Sequence, residues 1–256
     1  MTRSAERFAD TTIALLVRRL AVVLRELGYG APDVREHLVT ICALLGHERQ
    51  AALGALGTFF EKSAIGERWN QALRDERAPF LGRLIAPHAV DSVLDLLSGN
   101  CSVARSLETL TRSKVSTVER LDCGGGLRGG AVLNFDEFVL GASDAAYDTV
   151  LLCTVLHHEW DPLGLLELAV RVARRRVILV ENCIDEDCPA EYQELVDLIF
   201  NESLNRTSLP CPCRHGTLHG WLAMAGPYGM ARAVASVPAA PGVPLSHDVI
   251  VIEKRS

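Results

Sequence analysis

Apolar residues follow two different patterns along the chain, and the change falls near residue 88. From Phe8 to His88 they recur every three or four positions, as in "IALLVRRLAVVL" and "VREHLVTICALLG", a spacing that predicts amphipathic helices. The breaks "GYGAPD" and "LGHER" separate these helices, and Asp33 after Pro32 is a candidate helix cap. We therefore predict an all-helical N-terminal region, residues 1–88, that forms a lid or a dimerisation surface.

From Asp91 onward, short β-rich runs alternate with helical stretches. Five strands are predicted, at 92–97, 114–119, 131–135, 147–153 and 176–182. Helices are predicted between them at 102–112 and at 162–174, the second one starting at Asp161 and Pro162. Strands that alternate with helices predict an α/β domain with a parallel sheet between two layers of helices.

The C-terminal part of this second domain, residues 89–256, departs from the alternation. Strands predicted at 231–237 and 247–254 are joined by "PAAPGVPLS", which suits an antiparallel pair at the edge of the sheet. A polar and aromatic insertion, residues 183–216, separates this pair from the fifth strand. We expect the insertion to lie above the carboxyl ends of the strands, where open α/β sheets bind ligands.

Charge and composition exclude several classes of protein. The net charge of −6 argues against a nucleic-acid partner, because phosphate binding depends on accumulated basic charge. The apolar run "TTIALLVRRLAVVLREL" is interrupted by Arg18, Arg19 and Arg25, so it is not a membrane span, and no signal-peptide cleavage pattern accompanies it. We expect a cytoplasmic protein without a membrane partner, with its eight cysteines reduced.

Several motifs stand in a recognisable order between Asp91 and Lys254. "VLDLLSGNCS" places an acid and a tight turn at the first strand, Glu119 ends the second strand, and "YDTVLLCTVLHHEWDPLGLLELAVRV" and "RRRVILVEN" contain the fourth and fifth. This order resembles the class I S-adenosylmethionine-dependent methyltransferases. The resemblance implies a Rossmann-like sheet of seven strands, parallel with a C-terminal antiparallel hairpin, that binds S-adenosylmethionine or S-adenosylhomocysteine.

The resemblance also implies which residues hold the cofactor. Glu119 matches the acid that accepts hydrogen bonds from the ribose hydroxyls, and its distance along the chain from Asp95 fits one strand–turn–helix–strand unit. Asp136 matches an acid near the adenine amino group. The predicted cofactor-binding residues are Asp95, Ser98, Gly99, Cys101, Glu119, Asp136 and Cys153.

The turn after the first strand departs from the family pattern. Where the family carries three glycines, this chain has Leu97, Gly99 and Cys101. Side chains at Leu97 and Cys101 would crowd the pocket or displace the methionine end of the cofactor unless the turn has shifted. We expect an altered but functional pocket, and the alternative is a closed pocket retained only as a scaffold.

Three histidines are candidate general bases, because a neutral imidazole is an effective base near pH 7. His157 and His158 follow the fourth strand, and His215 precedes a helix that is predicted to begin near Thr217. The alternatives are that the histidine pair only shapes its loop and that His215 is an exposed loop residue.

Candidate substrate contacts come from the N-terminal helices and from the region of the insertion. They are Trp69, Glu181, Asn182, Tyr192 and Arg214, with core packing as the alternative for the aromatic residues. The insertion also holds Cys183, Cys188, Cys211, Cys213 and His215, residue types that bind zinc, but the spacing of Cys211 and Cys213 is poor for a zinc site. No metal is expected.

The leading hypothesis is methyl transfer from S-adenosylmethionine to a small organic molecule, such as a bacterial secondary metabolite in natural-product biosynthesis. One alternative keeps the fold but performs a non-methylating reaction such as an intramolecular cyclisation. A second is a non-catalytic accessory subunit. The expected partner is a small molecule, and the sequence leaves open whether the chain forms a homodimer.

Overall fold

The computed structural model describes residues 8–120, 132–206 and 212–254, and its N-terminal region is helical as predicted. The five helices of this region are α1 Asp10–Glu26, α2 Pro32–Ala43, α3 Arg49–Lys62, α4 Ile65–Ala72 and α5 Ala78–Ile85. A π-helical turn, Leu73–Arg77, joins α4 to α5. Pro32 is the first residue of α2, so Ala31 occupies the cap position and the prediction that Asp33 caps the helix is wrong. Asp33 lies in the first turn, where a negative charge is favourable to the helix dipole.

One sheet of seven strands forms the second part of the molecule, in the order β3-β2-β1-β4-β5-β7-β6. Its strands are β1 Val93–Leu96, β2 Val115–Glu119, β3 Leu133–Asn134, β4 Tyr147–Cys153, β5 Ala173–Glu181, β6 Gly229–Val237 and β7 His247–Lys254. The first five are parallel, and β7 pairs antiparallel with both β5 and β6. The predicted fold class is confirmed. The third strand is shorter than predicted, and Ala131 of that prediction lies outside the described residues.

Five further helices accompany the sheet. They are α6 Ser102–Thr111, α7 Phe135–Gly141, α8 Pro162–Val172, α9 Ala190–Leu198 and α10 Leu218–Ala225. The Asp161 side chain accepts a hydrogen bond from the Gly164 N–H, and the prediction of a helix start at this position is confirmed. Thr217 caps α10 in the same way. Within the described ranges, no helix is long and apolar enough to cross a membrane.

The N-terminal helices and the insertion share one hydrophobic core. Leu16, Leu53 and Trp69 from the N-terminal region are buried in the same cluster as Tyr192 and Leu195 from α9. Separate apolar clusters cover the two faces of the sheet. The position of α9 relative to the rest of the molecule therefore depends on the packing of the N-terminal helices.

Trp69 and Tyr192 belong to this shared core, which corrects their prediction as substrate contacts. Both side chains are fully buried. The Trp69 indole donates a hydrogen bond to the Gly242 carbonyl at 2.7 Å, and the Tyr192 hydroxyl donates one to the Pro244 carbonyl at 2.8 Å. Buried indole and phenol groups need such partners, and here the partners are backbone atoms.

We expect Trp69→Phe to lower the free energy of unfolding by roughly 1–3 kcal/mol, because it removes a buried hydrogen bond and leaves part of the indole volume empty. Trp160→Phe is the matched control, since Trp160 is 66% exposed and its replacement should change stability little. Urea denaturation of both variants measures the difference. Equal stabilities would contradict the core position of Trp69.

Candidate active site

A cavity of about 540 Å³ opens at the carboxyl ends of β1, β2 and β4. Cavities of this size accommodate small-molecule ligands. The strand ends and the turns that follow them contribute Asp95, Leu97, Ser98, Gly99, Glu119, Arg120, Cys153 and Thr154 to its wall. The helical regions contribute Leu73, Arg77, Ala78 and Asn201. The cavity therefore lies between the sheet and the N-terminal helices.

The turn after β1 keeps a backbone that normally requires glycine. Leu97, Gly99 and Cys101 have φ angles of 61°, 54° and 58°, in the left-handed region at all three positions where glycine was expected. The two larger residues of the turn therefore adopt a backbone conformation that favours glycine. Each non-glycine residue in this conformation costs roughly 1–2 kcal/mol, which the surrounding packing must offset.

The two larger side chains of the turn have different positions. Leu97 lines the cavity, so its side chain narrows the space that glycine would leave open. Cys101 is fully buried in the cluster under α6, with its Sγ 3.4 Å from the Ser98 hydroxyl. The cavity wall does not include Cys101, so its predicted direct contact with a cofactor is not supported.

Glu119 connects the end of β2 to the turn after β1. Its Oε2 accepts a hydrogen bond from the Gly99 N–H at 2.6 Å, and its Oε1 accepts one from the Arg120 N–H at 2.7 Å. These two contacts hold the end of β2 against the turn after β1. Glu119 is thus both a structural part of the turn and a polar group in the cavity wall.

Asp95 lies on β1 beneath this carboxylate and is almost fully buried. Burial, together with the nearby charge of Glu119, raises the pKa of Asp95 to about 7. A neutral Asp95 avoids placing two negative charges side by side. The residue therefore changes charge close to neutral pH.

The three predicted histidines lie close together, but they differ in their access to the cavity. His158 lines the cavity, whereas His157 is buried, with its ring centre 4.1 Å from that of His158. His157 Nδ1 lies 2.5 Å from Glu181 Oε2, and its ring centre is 4.9 Å from that of His215. Only His158 is placed to meet a ligand in the cavity directly.

The sequence did not single out Asp197, an acid on α9 that lies beside these histidines. Its Oδ2 is 3.0 Å from His215 Nε2 and 3.6 Å from His157 Nε2. Burial acts to raise the pKa of Asp197, but the neighbouring histidines hold it below its ordinary value. The surrounding helical pattern indicates core packing and gives no sign of this polar contact.

Four other predicted residues lie outside the cavity wall. Glu181 is fully buried, and the buried Asn182 donates a hydrogen bond to the Ser246 carbonyl. Asp136 is exposed in the first turn of α7, and the Arg214 side chain is exposed. None of the four lines the cavity, so direct contact with a ligand there is not supported for them.

Arg77 is a cation in the cavity wall that sequence reasoning missed. It makes no ion pair with a carboxylate in the described part of the chain, and its Nη2 lies 3.3 Å from His247 Nε2. Burial and the charge of Arg77 lower the pKa of His247 to about 3, so this imidazole is neutral. His247 Nδ1 lies 2.9 Å from the Leu245 carbonyl and donates to it, which leaves Nε2 to accept from Arg77.

Solved structures with a similar fold include several methyltransferases. The CurJ carbon methyltransferase superposes with a TM-score of 0.55 and 12% identity, over 96% of this chain and 71% of that one. A SAM-dependent methyltransferase from Thermotoga maritima gives a TM-score of 0.54 and 17% identity, over 78% of this chain and 99% of that one.

A third similar structure is a candidate O-methyltransferase from Nostoc punctiforme, with a TM-score of 0.50 and 16% identity over 78% of this chain. The match spans 60% of the length of that protein. No protein-family model matches the sequence, and no curated protein matches it. At these identities the likeness defines the fold.

The left-handed backbone at Leu97 predicts that glycine stabilises this position more than alanine does, the reverse of the usual order in a helix. We expect Leu97→Gly to be more stable than Leu97→Ala by about 1 kcal/mol, because both remove the side chain but only glycine relieves the left-handed backbone. Thr109, exposed on α6, is the control position, where alanine should exceed glycine by about 1 kcal/mol. Urea denaturation of the four variants tests this. Greater stability of alanine at position 97 would exclude the left-handed turn.

The raised pKa of Asp95 predicts a pH-dependent effect of Asp95→Asn. In the folded protein Asp95 stays protonated up to about pH 7, whereas in the unfolded chain it ionises near pH 4. The wild type therefore loses stability as the pH rises between these values, and the variant lacks this loss. We expect the variant's stability relative to the wild type to increase by at most about 4 kcal/mol from pH 4 to pH 8. If the difference in unfolding free energy between the wild type and Asp95→Asn does not change with pH, the raised pKa of Asp95 is contradicted.

Proposed function

We propose that this protein transfers the methyl group of S-adenosylmethionine to a small organic molecule bound in the cavity. The observation that carries the proposal is the placement of Glu119, at the end of β2 and facing the cavity across the turn after β1. Ligands of open α/β sheets bind at the carboxyl ends of the strands. A carboxylate at that position can accept hydrogen bonds from the two ribose hydroxyls of an adenosine group.

Arg77, which also lines the cavity, supports the same placement. Since no carboxylate of the described chain pairs with it, its guanidinium can bind the carboxylate of the methionine portion. His247 orients Arg77 without neutralising it, because the imidazole is uncharged. In this arrangement the N-terminal helices that carry Leu73 and Arg77 act as a lid over the cofactor.

The reaction is an in-line displacement. A lone pair of the acceptor forms a bond to the methyl carbon, the carbon–sulfur bond breaks, and its electron pair remains on sulfur to give S-adenosylhomocysteine. The protein contributes by holding the two reactants in line and close together. His158 lies in the cavity wall and is the candidate base for the proton that a hydroxyl or amine acceptor loses.

The acceptor side of the cavity is partly apolar. Trp160, Val155 and Leu73 contribute apolar surface, and the Arg120–Glu159 ion pair of 2.5 Å contributes charge. This mixture suits a small organic acceptor with one or a few polar groups. A substrate from bacterial secondary metabolism and a cytoplasmic location remain predictions from the sequence.

Titration calorimetry with S-adenosylhomocysteine tests the cofactor site. We expect Glu119→Gln to weaken binding 10-fold or more, because the amide can accept fewer hydrogen bonds and carries no charge. Glu167→Gln is the matched control, since Glu167 is exposed on α8 outside the cavity wall and the change of charge is the same. Equal affinities of the two variants would exclude Glu119 as a ribose acceptor.

Two further outcomes separate the alternatives. If the wild type binds neither S-adenosylmethionine nor its product, the cofactor proposal fails and an accessory role gains support. If it binds the cofactor but transfers no labelled methyl group to any of a panel of small hydroxyl, amine and carbon acceptors, a non-methylating reaction becomes the better hypothesis.

A further inference from the structure

Three side chains from distant parts of the chain meet beside the wall of the cavity. His157 lies in the loop after β4, Asp197 lies on α9, and His215 lies in the loop before α10. One nitrogen or oxygen atom of each lies within 4.8 Å of the corresponding atoms of the other two. The two imidazoles are 1% exposed and the carboxylate is 11% exposed.

Glu181 fixes the orientation of His157. Its Oε1 accepts hydrogen bonds from the backbone N–H groups of Val155 and Leu156, and its Oε2 lies 2.5 Å from His157 Nδ1. A carboxylate partner places the ring proton on Nδ1, so Nε2 presents its lone pair toward Asp197. This carboxylate–histidine arrangement is the usual support of a metal-binding imidazole.

His215 faces the same carboxylate in a close but poorly aligned contact. Its Nε2 is 3.0 Å from Asp197 Oδ2, but the groups are not aligned, and neither ring nitrogen has a hydrogen-bond partner among the described residues. Burying an imidazole is energetically unfavourable when neither ring nitrogen has a well-aligned hydrogen-bond partner. A cation between the three side chains would satisfy it.

The distances fit coordination of one ion. Metal–ligand bonds of about 2.0–2.1 Å place neighbouring ligand atoms about 3.0–3.4 Å apart, and the centres of two imidazoles on one ion about 4.5–5 Å apart. The observed distance between Asp197 and His215 is 3.0 Å, within this range, and the distance between Asp197 and His157 is 3.6 Å, slightly above it. The ring centres of His157 and His215 are 4.9 Å apart.

We infer that His157, Asp197 and His215 bind a divalent transition-metal ion, with zinc as the best match. Two imidazoles and one carboxylate form a ligand set that suits zinc and leaves a coordination position for water or another ligand. The site does not involve the cysteines considered in the sequence, of which Cys211 lies outside the described residues.

The ion would join the insertion to the loop that borders the cavity. Arg214 N–H donates to the His157 carbonyl at 3.0 Å, so the two loops are already in contact. His158 follows His157 directly, and Asn201 lies one helical turn after Asp197, and both of them line the cavity. Binding would therefore order residues of the cavity wall as well as the insertion.

Calorimetric titration of the metal-free full chain with zinc chloride tests the site. We expect one equivalent of zinc per chain and a rise in melting temperature. His215→Ala should weaken binding at least 100-fold, whereas His219→Ala should bind as the wild type does, because His219 is an exposed histidine on α10. Circular dichroism confirms that each variant is folded.

Glu181→Gln tests the proposed orientation of His157. An amide nitrogen at Oε2 would donate to Nδ1 and shift the ring proton to Nε2, so we expect a 10- to 100-fold loss of zinc affinity. Cobalt substitution gives an independent readout, since nitrogen and oxygen ligands produce a visible spectrum without sulfur charge-transfer bands.

Three results would overturn the inference. They are no saturable zinc binding by the wild type, unchanged affinity in folded His215→Ala, and a cobalt spectrum with thiolate bands. Without zinc binding, the negative charge of Asp197 would be compensated by protonated histidines instead. Thiolate bands would mean that cysteines hold the ion. If the wild type binds zinc but neither S-adenosylmethionine nor S-adenosylhomocysteine, the proposed function is contradicted and the metal site is not.

Discussion

The hydrogen bond from Gly99 N–H to Glu119 Oε2 connects the two chain segments on which the cavity depends. It fixes the turn after β1 against the end of β2, so the same contact sets the start of α6 and the position of the carboxylate in the cavity. The Gly99 N–H lies in the left-handed part of the turn, so its bond to Glu119 helps to stabilise a conformation that is strained at Leu97 and Cys101.

The other wall depends on contacts between the N-terminal helices and the insertion. Ser203, which follows α9, donates a hydrogen bond to the Leu53 carbonyl of α3, and a Cβ on Gly57 would lie 3.1 Å from the Ser203 carbonyl. Backbones approach this closely only where a small residue allows it. The close packing of α3 against this segment also positions Asn201 in the cavity wall.

The sequence predicts the sheet and the cavity residues at its strand ends, including Ser98, Glu119 and His158, but not the part of the cavity wall that the helices form. Strands β4 and β7 have the predicted bounds, because a buried strand shows as a continuous apolar run between turn residues. Core packing, the alternative left open for Trp69 and Tyr192, is the observed role, because helical periodicity shows that a residue faces inward without showing what it faces. Arg77 and Asp197 gave no local signal, since their partners are 170 and 18 or more residues away along the chain.

The structure also weighs against a closed pocket kept only as a scaffold. Of the two side chains that replace glycine, Cys101 is accommodated in the core under α6, and only Leu97 reaches the cavity. About 540 Å³ remains open, and its wall includes Glu119 and Arg77, two groups of opposite charge. Arg77 contacts the neutral His247 and pairs with no carboxylate in the described part of the chain, and a partly buried charge without a counter-charge is unfavourable unless a ligand compensates it. The charges on the cavity wall are therefore better explained by a zwitterionic ligand than by structural support alone.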